Sequence, residues 1–108
     1  MRFALILMLV ALAQPANASW TFCVAESDGG KQIWITGVFA AARPRERLEL
    51  DFKALLRDRG VLNPVVQCPA PQDDRIEAVN SQFTATEFHR KLGDALHSVA
   101  SPEFELQP

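Results

Sequence analysis

Trp20-Thr21-Phe22-Cys23-Val24-Ala25-Glu26, then Ser27-Asp28-Gly29-Gly30, then Lys31-Gln32-Ile33-Trp34-Ile35-Thr36-Gly37-Val38-Phe39, is the stretch that decides the fold. The first run alternates: Trp20, Phe22 and Val24 point one way, Thr21, Cys23 and Ala25 the other. That period of two is the mark of a strand with an apolar face. The Asp-Gly-Gly turn tolerates the positive φ angles of a tight reversal. The second run is rich in β-branched and aromatic residues, which suit a pleated, half-buried surface. Ile33, Ile35 and Phe39 share one of its faces; Trp34, Thr36 and Val38 share the other. The two runs are predicted to pair as an antiparallel hairpin.

Downstream, the period changes. Pro44 suits a first helical turn, and Leu48, Phe52, Leu55 and Leu56 lie at i, i+4, i+7 and i+8, forming one apolar stripe. Gly60 is placed to end this helix in a left-handed cap. The prediction is a helix over 44–59. Val65-Val66-Gln67-Cys68 reads as a short strand stopped by Pro69 and Pro71. Asp73 or Asp74 can cap a second helix, and Asp74 with Glu77 resembles a capping box. Ile76, Val79, Phe83, Phe88 and Leu92 trace its apolar side, with a five-residue slip between Phe83 and Phe88. One kinked helix or two short ones both fit. Gly93 terminates it, and Asp94 to Ala100 reads as a last strand.

Strand, strand, helix, strand, helix, strand implies an α+β domain. The expectation is a small two-layer domain of about four strands with both helices on one face. The strand–helix–strand steps should run parallel with right-handed crossovers. Sheet order is not readable from the sequence.

Upstream of the hairpin, Arg2 precedes an apolar run from Phe3 to Leu12. Gln14 and Pro15 break it, and Ala16-Asn17-Ala18 has the small-x-small pattern of a signal-peptidase site. The run is too short to span a bilayer. Residues 1–18 are therefore expected to be a cleaved signal peptide, 19–100 a single domain, and 101–108 a flexible tail. The product is expected to be periplasmic or secreted, and not membrane-spanning after cleavage. In such a compartment the two cysteines of the chain, Cys23 and Cys68, are expected to form a disulfide. It would close a loop of about 45 residues, worth roughly 4 kcal/mol in the chain-entropy model. A redox-active pair is disfavoured, because Cys-x-x-Cys spacing is absent.

The chain has 11 Lys and Arg against 13 Asp and Glu, a formal net charge of −2. Loss of Arg2 with the leader makes it one unit more acidic. This balance argues against nucleic acid as a partner. His89 and His97 lie eight apart with no close-spaced ligand pair, so no metal is expected. Ser27, Ser81, Ser98 and Ser101 sit in no nucleophile motif. The acidic pair Asp73-Asp74 is explained by helix capping, and Glu103 with Glu105 lies in the tail. Gly29-Gly30 fits a hairpin better than a phosphate loop, and no cofactor is expected.

Two surface features stand out. Arg43, Arg45 and Arg47 crowd the start of the first helix, where positive charge opposes the helix dipole. They read either as an anion site or as a solvated basic edge. Trp34, Thr36 and Val38 would form an apolar patch on the open face of a two-layer domain, a surface for a partner. Alternatively, the tail or a dimer mate covers it. The leading functional reading is a small exported, non-enzymatic protein that binds a macromolecular partner in the cell envelope or outside the cell. The alternative is an inhibitor of an extracellular enzyme, acting through the loop Pro69–Asp74. A small hydrolase is the third reading.

Overall fold

The computed structural model describes residues 19–100. The leader expected over 1–18 and the tail over 101–108 lie outside the described residues. The hairpin forms, but in two sections. Its strands are β1 (Trp20–Thr21), β2 (Val24–Ser27), β3 (Gln32–Thr36) and β4 (Phe39–Ala40). Asp28, Gly29 and Gly30 turn the chain with φ of 56°, 66° and 88°. Val24 pairs with Ile35 and Ala25 with Trp34, whereas Thr21 pairs with Phe39. Phe22 and Cys23 therefore face Thr36, Gly37 and Val38: one extra residue sits on the second strand, a β-bulge. At the bulge the Thr36 side chain substitutes for a backbone acceptor. Thr36 N–H donates to the Cys23 carbonyl (3.0 Å), and the Cys23 N–H donates to Thr36 Oγ1 (2.9 Å).

Helix α1 (Arg45–Asp58) buries Leu48, Phe52 and Leu56, as its stripe predicts. It ends at Gly60, φ 87°. Val61 N–H reaches back to the Leu56 carbonyl (3.0 Å) and Gly60 N–H to that of Arg57 (3.0 Å), the paired bonds of a glycine-terminated helix. Strand β5 (Val65–Gln67) follows, then one continuous helix α2 (Arg75–Lys91) and strand β6 (Ala95–Val99). The Asp74 side chain caps α2 by accepting from Ile76 N–H (2.9 Å).

The main sheet has the order β5-β2-β3-β6; β1 and β4 form a separate two-stranded ladder. β2 is antiparallel to β3 and β5, and β6 is parallel to β3. β3, β5 and β6 thus run the same way, so both strand–helix–strand steps are parallel crossovers. The α+β class and the element order match the expectation.

The placing of the helices differs from it. Cross-strand partners share a face, so Ala25, Trp34 and Val66 lie on one side of the sheet. They pack with Leu48, Phe52, Leu56, Phe39, Val99 and the two cysteines, so α1 covers this side. Phe22, Ile33 and Ile35 are buried on the other. There Ala85 and His89 of α2 border a cleft of 220 Å³ with Phe22, Val24 and Glu26. The helices therefore flank the sheet, giving three layers instead of two. The reason is topological. The step through α1 crosses from β3 to the β5 edge; the step through α2 returns across the whole sheet to β6. Two crossovers of the same hand that travel in opposite directions must run over opposite faces.

Candidate functional site

Cys23 and Cys68 are joined, with a sequence separation of 45 and both residues fully buried. The bridge ties the bulge to the end of β5, in the core beneath α1. Glu49 of α1 supports it from the helix side, accepting the Cys68 N–H at Oε2 (2.9 Å).

Trp34, Thr36 and Val38 do not form an open apolar patch. Thr36 is fully buried, and Trp34 is half-buried against the α1 core. His97, its cross-strand neighbour, stacks on the indole with ring centroids 4.8 Å apart. The face expected to lie open, and with it the expected dimer contact there, is the face that α1 covers.

The arginines at the start of α1 converge on acids of the same helix. Arg43 and Arg47 both reach Asp51, at 2.6 and 3.2 Å, and Arg45 reaches Glu49 at 3.7 Å. The helix carries no side-chain cap at its start. Asp51 and Glu49, one turn further in, neutralise the charge that opposes the dipole. The cluster reads as a paired basic edge, with its guanidinium groups directed along the helix.

Each histidine is engaged. His89 Nδ1 lies 2.9 Å from Asp94 Oδ2, and His97 Nε2 lies 2.8 Å from Gln32 Oε1. Among the described residues, no group of three or more His, Cys, Asp or Glu is arranged to hold a metal ion. Ser27 and Ser81 serve structure: Ser27 Oγ donates to the Leu62 carbonyl (2.6 Å), and Ser81 Oγ accepts from Gln72 Nε2 (3.1 Å). No helix among the described residues is long and apolar enough to cross a membrane.

The loop Pro69–Asp74 is pinned along its length. Cys68 anchors its start, and Thr21 Oγ1 donates to the Pro69 carbonyl (2.9 Å). Trp20 and Gln72 exchange both backbone bonds at 2.7 and 2.9 Å. Pro69, Ala70, Pro71, Asp73 and Asp74 remain exposed.

The most informative surface is the apolar side of α2, which faces water. Ile76, Val79, Phe83 and Phe88 of α2, and Leu92 just past its end, are exposed by 67, 37, 62, 58 and 61 %. The side facing the sheet is built from Ala78, which is buried, and from half-buried Ser81, Gln82, Ala85 and His89. Alanines at the contact allow the helix to lie close to the sheet, and Gln82 reaches through to donate to the Thr36 carbonyl at the bulge (3.1 Å). At 3.6 residues per turn, Ile76, Val79 and Phe83 form one strip on the far side from Ala78 and Ala85. Phe88 flanks a shallow depression of 490 Å³ with Asn80, Thr84 and Ala85. A signal was present in the sequence: Ala78, Ser81, Ala85 and His89 recur at helical spacing too, on a strip of small or polar residues.

No protein-family model matches the chain, and no curated protein or solved structure shows significant similarity to it.

Proposed function

We propose that this chain is an exported, non-enzymatic protein of the cell envelope or the extracellular space, and that it binds a macromolecular partner through the outer face of α2. The observation that carries the reading is the exposure of Ile76, Val79 and Phe83 on one strip of a helix whose inner side is small and polar. Water-exposed apolar surface of this extent on one element is a common sign of a protein contact, and aromatic side chains are the usual anchors. The buried Cys23–Cys68 bridge supports work in an oxidising compartment. Site-specific photo-crosslinking from position 83 in intact cells tests the reading. It is expected to trap a defined protein product, and the same probe at exposed Glu77 on a neighbouring strip is expected to trap less of it. A probe at position 83 that yields no product, or one no different from position 77, refutes it.

A second reading, inhibition of an extracellular enzyme, is favoured by the loop Pro69–Asp74. An exposed segment pinned at both ends enters a cleft with little ordering cost, which is how preorganised loops gain affinity. Replacing Ala70 and Pro71 together by glycine is expected to abolish inhibition of a target protease or glycosidase while the fold survives. Unchanged inhibition by that variant would remove the loop from consideration.

A further inference from the structure

We infer that the occupant of α2's outer face is the α2 of a second copy of this chain, packed antiparallel about a two-fold axis midway between Val79 and Phe83. This rests on the binding role proposed above for the same face. The argument is charge complementarity. α2 is acidic just ahead of its start, at Asp73 and Asp74, and basic at its end, at Arg90 and Lys91. An antiparallel partner sets the basic end of one helix beside the acidic start of the other; a parallel one sets like against like.

The positions fit an axis midway between Val79 and Phe83. Each Val79 side chain then meets Phe83 of the second copy, and Asp73 lies level with its Arg90 to within one residue of helical rise. A two-fold contact makes every such pair twice. Glu87 and Arg90 already pair with each other on the helix surface, so both are held on this face. The 17-residue helix is about 26 Å long. Two such faces fall at the low end of specific interfaces, below about 1,200 Å² in total, where weak association is usual.

The test is sedimentation equilibrium of the exported, oxidised chain over about 1 to 300 µM. The wild type is expected to pass from monomer to dimer. Phe83→Asp is expected to weaken the dimer by at least about 30-fold, because one anchor is lost on each side. Phe83 is exposed, so circular dichroism of this variant should be unchanged. Arg90→Glu is expected to weaken the dimer, and Asp73→Lys combined with Arg90→Glu to restore it. A dimer unaffected by Phe83→Asp, or not restored by the double exchange, overturns the inference. So does a wild type that stays monomeric throughout. In that last case, a crosslink from position 83 to a different protein in cells keeps the binding role and replaces the occupant; no crosslink at all removes both.

Discussion

Replacing Thr36 by valine removes one hydroxyl and keeps the side chain's shape. Thr36 is fully buried. Its Oγ1 accepts the Cys23 N–H at 2.9 Å and donates to the Gly37 carbonyl at 2.9 Å. The bulge holds Cys23 away from the ordinary ladder, so the valine variant leaves a buried N–H without its acceptor. An unsatisfied buried donor costs about 1–3 kcal/mol. In a domain of this size each kcal/mol shifts Tm by roughly 4–8 °C, so Thr36→Val should lower Tm by about 8–16 °C at the centre of that range. Thr36→Ser keeps the hydroxyl and loses one methyl, at about 1 kcal/mol, and should lose roughly half as much. The assay is thermal unfolding followed by circular dichroism, with the disulfide intact in every sample. Urea midpoints for the same three proteins supply an independent scale. A valine variant as stable as the serine variant, or more so, would refute the role given to the hydroxyl.

Three other outcomes are expected. Cys23→Ala with Cys68→Ala opens a 45-residue loop and should cost about 4 kcal/mol, measured as a fall in the urea midpoint. An unshifted midpoint would mean that the buried core alone holds β5 to the bulge. Asp74→Ala removes the acceptor of the Ile76 N–H and should cost about 1 kcal/mol, visible as a Tm lower by roughly 4–8 °C. Sulfate titrated into the wild type should leave the amide resonances of residues 43–47 in place, since Asp51 already engages Arg43 and Arg47. Saturable shifts there would restore the arginine cluster as an anion site.

Much of the chain was legible because its signals are local. Alternation over Val24–Ser27 and Gln32–Ile35, the Asp-Gly-Gly reversal, the Leu48–Phe52–Leu56 stripe and the Gly60 stop each depend on residues within a turn or two of each other; the bulge at Thr36–Val38 breaks the alternation and puts Phe39 on the α1 side, opposite the expected face shared with Ile33 and Ile35. A cap at Asp73 or Asp74 followed from their place before a helical run, and the structure selects Asp74. The candidate site was hidden for a related reason. An apolar strip such as that of α2 ordinarily faces the core, because large apolar residues are usually buried. At α2 the sheet is approached by alanines, and the large side chains were left outside.

Chain order alone was enough for the class, the order of the helices and principal strands, and the pairing of the only two cysteines. Those properties follow from backbone periodicity, turn chemistry and elimination. Which side of the sheet each helix covers needed the assembled molecule. That choice depends on the β5-β2-β3-β6 order and on the opposite directions of the two crossovers, neither of which any local stretch encodes. The same geometry carries Trp34 from an expected open surface into contact with the core, and leaves Ile76, Val79 and Phe83 facing water.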